Sequence, residues 1–201
     1  MTLMQSVSRR TLLIGSLAAA FPLSRAVAAP DPRGFVNEFW TQAAPYMDSG
    51  MSAGQRLAGI RNLLRSSFDV TAITDFVLGS YKRVATPQQL RDFAALYQEY
   101  TVQTYSRQLS HLAGSQLVLQ NVRPSGAETI VGSNVVTPGG GTYRVEWYVV
   151  DRGGANKISD LLIEGVSMKM THRSEVARWI EVNDGGFSSA LAVLRQQISP
   201  T

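Results

Sequence analysis

Residues 115–167 read SQLVLQNVRPSGAETIVGSNVVTPGGGTYRVEWYVVDRGGANKISDLLIEGVS. Their apolar period is two. Runs at 116–123, 128–137, 142–151 and 157–168 are separated by Pro124-Ser125-Gly126, Pro138-Gly139-Gly140-Gly141 and Arg152-Gly153-Gly154. Connections this short join antiparallel neighbours. In the third run Tyr143, Val145, Trp147 and Val149 share one face, and Arg144, Glu146 and Tyr148 share the other. A sheet that is greasy on one face and mixed on the other is covered on one side. The expectation is a four-stranded antiparallel meander.

On both sides of this block the period becomes helical. Segment 32–48 carries Phe35, Val36, Phe39, Trp40 and Ala43 as an amphipathic stripe. Ser52 with Gln55 has capping-box spacing and opens a helix bearing Leu57, Ile60, Leu63 and Leu64. Asp69 is placed to cap a short helix that stops at Gly79. Thr86-Pro87-Gln88-Gln89 combines a capping Thr, Pro at the first helical position and Gln three residues after the cap. The long helix that follows carries Leu90, Phe93, Tyr97, Tyr100, Tyr105 and Leu109 towards Gly114. Two helices, 172–183 and 186–198, close the chain around Asp184-Gly185-Gly186. The fold class is α+β, with a four-stranded antiparallel curved sheet wrapped by about six helices.

The chain has 201 residues, 44% of them apolar and 17% charged, which suits one folded domain and excludes low-hydrophobicity disorder. It has no cysteine, so disulfides, thiolate metal sites and a cysteine nucleophile are all excluded. Arg9-Arg10, an apolar run from Leu12 to Phe21 and Ala26-Val27-Ala28 form the three regions of an export leader. The expected division is a cleaved signal peptide over 1–28 and a single domain over 29–201. Ser8-Arg9-Arg10-Thr11-Leu12-Leu13 also resembles a twin-arginine leader, which leaves the export route open. Removing Arg9, Arg10 and Arg25 from the 19 basic residues leaves 16 against 15 acidic ones. A mature balance of +1 offers little footprint for nucleic acid, so no nucleic-acid partner is expected.

Catalytic constellations are sparse. His111 and His172 lie in separate elements without metal-ligand spacing, so no metal and no cofactor are expected. Gly139-Gly140-Gly141 lacks the Lys-Ser/Thr of a phosphate loop, and Gly165-Val166-Ser167-Met168-Lys169 lacks the last glycine of a nucleophile elbow. Asp160 and Glu164 alternate onto one strand face and offer a paired-acid alternative. The aromatic supply is larger: Phe76, Tyr81, Phe93, Tyr97, Tyr100, Tyr105, Tyr143 and Trp147 sit where helices and sheet should meet. Composition alone does not separate a filled core from one left open for an apolar ligand.

Ser67-Phe68-Asp69 leading to Phe76-Val77-Leu78-Gly79 resembles the MlaC, or toluene-tolerance, family of periplasmic phospholipid carriers. So do Thr86-Pro87-Gln88-Gln89 with Phe93, the run Tyr100-Thr101-Val102-Gln103-Thr104-Tyr105, and Asp160 to Ser167 followed by Arg173-Ser174-Glu175. The likeness spans nearly the whole mature chain in the family's order. Lys82-Arg83 stands where the family usually has Trp-Arg, and Asn156 stands where it usually has Trp. Arg173-Ser174-Glu175 with Asp184-Gly185-Gly186 is similar to members associated with hopanoid biosynthesis, so the lipid could be a phospholipid or a hopanoid-like one.

The resemblance implies a periplasmic carrier that maintains outer-membrane lipid asymmetry. Its partners would be an outer-membrane lipoprotein complex and the MCE-domain ring of an inner-membrane ABC transporter, with only transient membrane contact. It also implies an apolar slot between helices and concave sheet. Pattern and family architecture together nominate Phe76, Val77, Tyr97, Tyr100, Val145, Trp147 and Val149 as its lining. Two readings of other classes stay open: a small enzyme using Asp160 and Glu164 as acid and base, and a filled-core interaction module.

Overall fold

Side-chain caps fix where the helices begin. The computed structural model describes residues 31–48, 50–181 and 186–198. The leader and the pair Asp184-Gly185 lie outside the described residues. Asp31 accepts from the Arg33 N–H and, with Pro32 behind it, starts α1 (Pro32–Ala43). Full capping boxes, Ser52 with Gln55 and Thr86 with Gln89, start α2 (Ala53–Ser67) and α4 (Pro87–Leu109). Between them Asp69 accepts from the Ala72 N–H and starts α3 (Val70–Leu78). The chain ends in α5 (Met168–Glu181) and α6 (Phe187–Ile198).

The strands are β1 (Gln116–Ser125), β2 (Glu128–Val136), β3 (Thr142–Asp151), β4 (Asn156–Ile163) and β5 (Val166–Ser167). They form one sheet in chain order with every neighbouring pair antiparallel. The sheet therefore has five strands, not four. The run expected over 157–168 folds back at Glu164-Gly165, where φ is 50° and 82°, the conformation of a two-residue hairpin loop. Such a loop preserves the period-two alternation on either side, so the sequence pattern passes through it unbroken. The Glu164 N–H donates to the Arg144 carbonyl at 2.9 Å, and the Glu164 carboxylate accepts the Arg144 N–H, which fastens the turn to β3. The last helix pair also begins earlier than expected, at Met168 instead of 172, directly after β5.

The interior has two separate centres. On the sheet, Val131, Val135, Val145, Trp147, Val149 and Ile158 are buried against Val36 of α1, with Phe39, Trp40 and Phe68 around them. Away from the sheet, Val77 and Leu78, Phe93 and Tyr97, Val176 and Ile180, and Phe187, Leu191 and Leu194 pack α3 to α6 on one another. Helices that satisfy each other's apolar stripes have less reason to seal the sheet. The junction between the two centres is where the site lies.

One glycine couples the helical centre together. Gly79 ends α3 with φ 53° and ψ −125°, which side chains with a Cβ rarely adopt. A Cβ there would also stand 2.6 Å from Arg173 Nη2, while Arg173 Nη1 donates to the Phe76 carbonyl at 3.1 Å. Gly79→Ala is expected to lower unfolding stability by about 1–3 kcal/mol in urea titration. Adding Arg173→Ala should recover only part of that loss, because the backbone strain persists when the clash is gone.

Candidate functional site

Phe68 stands at the junction. Its backbone bridges to Ile158 of β4 in parallel fashion, and the Asp69 N–H donates to the Ile158 carbonyl at 2.9 Å. Asp69 caps α3 and also receives Arg152 Nε at 2.6 Å, so the α2–α3 corner is pinned to the sheet from two sides. The Phe68 ring is left inside. Phe39 packs edge-on against it, with centroids 5.6 Å apart, and against Trp147 at 5.4 Å.

Around these rings the interior is open. A cavity of about 130 Å³ lies between α1, α2, α4 and the sheet. Its walls include Phe39, Trp40, Leu63, Phe68, Leu109, Val145, Trp147 and Ile163, and Gln108 is the only amide among them. The indole N–H of Trp147 donates to Ser133 Oγ at 2.8 Å, which in turn donates to the Val145 carbonyl at 3.2 Å. The one polar atom of that ring is thus satisfied within the sheet, and an apolar ligand would meet only its carbon surface. A smaller cavity of about 50 Å³ is walled by Val70, Ile73, Tyr97, Thr101, Met168, Lys169 and His172. Leu64, Phe68, Tyr105 and Leu161 line both, forming a shared partition of side chains. The two cavities, a larger and a smaller lobe, adjoin across it.

The smaller lobe has a polar end. Asp160 is buried and accepts from the Leu161 N–H at 2.8 Å, the Lys169 N–H at 3.1 Å and Ser167 Oγ at 2.5 Å. Ser167 Oγ then accepts from the Met170 N–H, so Asp160 and Ser167 together cap α5. A register shift in β4 opposite Tyr148 and Val149 breaks the strand alternation just before Asp160. Glu164, four residues on, is exposed in its hairpin turn. The paired-acid arrangement expected from alternation is not assembled: one carboxylate caps a helix and the other closes a turn.

His172 is buried in this lobe with Nδ1 2.6 Å from the Tyr97 hydroxyl. The Tyr97, Tyr100 and Tyr105 rings lie 5.7, 6.1 and 6.2 Å from the imidazole. Burial pushes His172 below the ordinary histidine value, with Glu175 and Asp160 opposing the shift. Burial likewise pushes the Tyr97 and Tyr105 phenols up, and burial with Glu175 raises Tyr100. At neutral pH these groups carry no charge.

Of the nominated lining residues, Val145 and Trp147 face the larger lobe and Tyr97 the smaller. Val149 is buried in the sheet core beside the lining, and Val77 is buried among the helices. Tyr100 packs on Trp179 with centroids 5.5 Å apart, outside both lobes. Phe76 lies under two cations, Lys169 Nζ at 5.1 Å and Arg173 Cζ at 5.0 Å from its ring centroid. The lining residues that sequence reasoning did not nominate include Phe39, Trp40, Phe68 and Leu161. Phe39 and Trp40 belong to the apolar stripe of α1, and Phe68 sits in the Ser67-Phe68-Asp69 motif, so the signals were present but did not say which lobe they face.

Comparison with known proteins agrees with this architecture. The family model described as "MlaC protein" matches residues 42–196. The toluene tolerance protein Ttg2D of Pseudomonas putida is 24% identical over 187 residues, which cover 90% of this chain and 86% of that protein. Among solved structures, a phospholipid-binding protein from Ralstonia solanacearum in complex with a phospholipid superposes with a TM-score of 0.70 at 18% identity. That match covers 84% of this chain and 97% of the other, and it shows a shared fold.

Two outcomes are expected from the site's geometry. Val145→Trp places bulk where the larger lobe has room and should cost little stability, whereas Val149→Trp, beyond Trp147 on the same face and in the filled core, should cost about 1–3 kcal/mol; chemical unfolding of both variants measures the contrast. The second concerns pH. Histidine in the unfolded chain titrates near 6.5 and His172 in the folded protein titrates lower, so below 6.5 the unfolded state holds the extra proton. That part of the stability is present above pH 6.5 and is lost as pH falls through the folded value. Melting temperatures followed from about pH 7.5 to about pH 5.5 should decline for the native chain and decline less for His172→Gln.

Proposed function

Because the chain belongs to the MlaC family, we propose that it is a lipid-binding carrier, with the two-lobed slot holding the acyl chains of a phospholipid. The observation that carries this reading is the larger lobe: a cavity of about 130 Å³, walled by apolar side chains, with its one indole N–H already bonded elsewhere. Such a space offers an acyl chain an almost wholly apolar wall. In this reading Tyr97, Val145 and Trp147 touch the lipid, while Phe76, Val77, Tyr100 and Val149 back the walls.

Magnitudes favour exchange with membranes over capture from water. Two chains of about sixteen carbons, at ~0.8 kcal/mol per buried CH₂, avoid water by roughly 25 kcal/mol. That exceeds the ceiling of about 18–21 kcal/mol for non-covalent binding from solution. Transfer from bilayer to slot is apolar to apolar, and its net free energy can lie near zero. A carrier of this kind needs a dry cavity and little catalytic chemistry, which is consistent with Asp160 serving as a helix cap.

The finer reading extends the same argument. The leader over 1–28, cleaved after Ala28, sends the mature chain to the periplasm. There it shuttles phospholipid, or a hopanoid-like lipid, between an outer-membrane lipoprotein complex and the MCE-domain ring of an ABC transporter. Among the described residues no helix is long and apolar enough to cross a membrane.

Native mass spectrometry of the mature protein recovered from the periplasm tests the proposal. A population heavier by one lipid is expected, with the lipid identified by extraction. Repeated recovery of empty protein that takes no lipid from liposomes would overturn it.

A further inference from the structure

The smaller lobe carries a feature that an acyl-chain slot does not require. Lys169 is part of its wall and is also partly exposed, which places it where the lobe meets solvent. Arg173 follows one helical turn later, and both cations rest against the Phe76 ring. Arg173 is further held by its bond to the Phe76 carbonyl and by its close approach to Gly79. One aromatic ring thus contacts two positive charges, one of which is in the wall of the apolar cavity.

Among the described residues, no ion pair includes Lys169 or Arg173. The neighbouring carboxylates are engaged: Asp75 with Lys82, Glu175 with the Tyr100 hydroxyl, and Asp160 with three donors that cap α5. The first backbone N–H groups of α5 at Lys169 and Met170 are likewise taken, by Asp160 and Ser167. What remains free is the side-chain ammonium with its three donors.

We propose that Lys169, supported by Arg173 and Phe76, binds the phosphate of the carried lipid at the mouth of the smaller lobe. The proposal rests on the carrier reading and adds selectivity to it. A phosphodiester joined to acyl chains satisfies both halves of the site at once, the anion on the paired cations and the chains in the lobes. An uncharged lipid of the same chain length fills the slot but leaves the cations without a partner, so the protein should discriminate between the two by head group.

The test is competition between two lipids with identical chains. Full mature protein is incubated with vesicles containing equimolar phosphatidylglycerol and digalactosyldiacylglycerol, and the bound lipids are counted by mass spectrometry. Native protein should favour phosphatidylglycerol. Lys169→Gln should lower the ratio of the two lipids bound by about tenfold or more, the scale of one charged hydrogen bond, and Lys169→Arg should restore it. Lys82→Gln, a surface cation on the neighbouring turn, should leave the ratio unchanged. An unaltered ratio in Lys169→Gln, with lipid still loaded, would overturn the phosphate site and leave the carrier standing. No uptake of either lipid by native protein would overturn the carrier reading itself. A parallel melting series with inorganic phosphate separates the two sources of the anion. Stabilisation by free phosphate that depends on Lys169, together with an unchanged lipid ratio, would assign the site to a soluble anion and overturn the head-group proposal.

Discussion

Asp160 is the only buried carboxylate among the described residues, and much of the architecture is arranged around satisfying it. A buried charge without partners costs several kcal/mol even after relaxation, on the order of what a whole domain has to spare. Here three donors and the positive end of α5 offset that cost. To deliver them the chain must reverse at Glu164-Gly165, present Ser167, and enter α5 at once. The tight turn, the two-residue β5 and the early start of α5 all serve one carboxylate. They also fix α5 against β4, and with it Lys169 and His172 at the end of the smaller lobe.

The corner at Phe68-Asp69 does the corresponding work from the other side. Its backbone bond to Ile158 attaches α2 and α3 to β4, immediately before the stretch that holds Asp160, and its ion pair with Arg152 ties the same corner to the turn between β3 and β4. Strand β4 therefore carries both attachments of the helical layer within three residues. Because the attachments are polar and local, the helices need not gain their stability from the sheet's apolar face. They gain it from each other, and the greasy face of β2, β3 and β4 is only partly covered by α1. The cavity follows from that division between two centres of packing.

Much of this was legible in the sequence. The capping boxes at Ser52 and Thr86 placed two helix starts, and the alternation from Tyr143 to Val149 placed β3 with its inner face correctly assigned at Val145 and Trp147. What alternation cannot register is a two-residue hairpin, which keeps the period while reversing the chain, or a bulge, which shifts the phase by one. The first hid β5 and took Glu164 out of the strand that carries Asp160, and the second shifts the phase at Ser159, before Asp160. The lining was legible by class and less so by position. Phe76, Val77, Tyr100 and Val149 have the same composition and periodicity as true wall residues. Only the tertiary partition between sheet core and helical core decides which side chains meet empty space.

The electrostatic character of the lining follows from the same burial that makes the space. His172 and the three tyrosines around it are polar groups that could carry charge, yet desolvation drives each towards its neutral form, and the bond between His172 and Tyr97 satisfies both without an ion. A charged wall would hold water and oppose the entry of hydrocarbon, whereas a neutral wall leaves transfer from a bilayer close to balanced. Asp160, the one carboxylate in the smaller lobe's wall, is held by three donors, while Lys169 in the wall and Arg173 beside it rest against an aromatic ring that can partly replace their hydration. Setting a largely apolar interior apart from a cationic rim lets chain burial set whether lipid is held and leaves the rim to set which lipid is held.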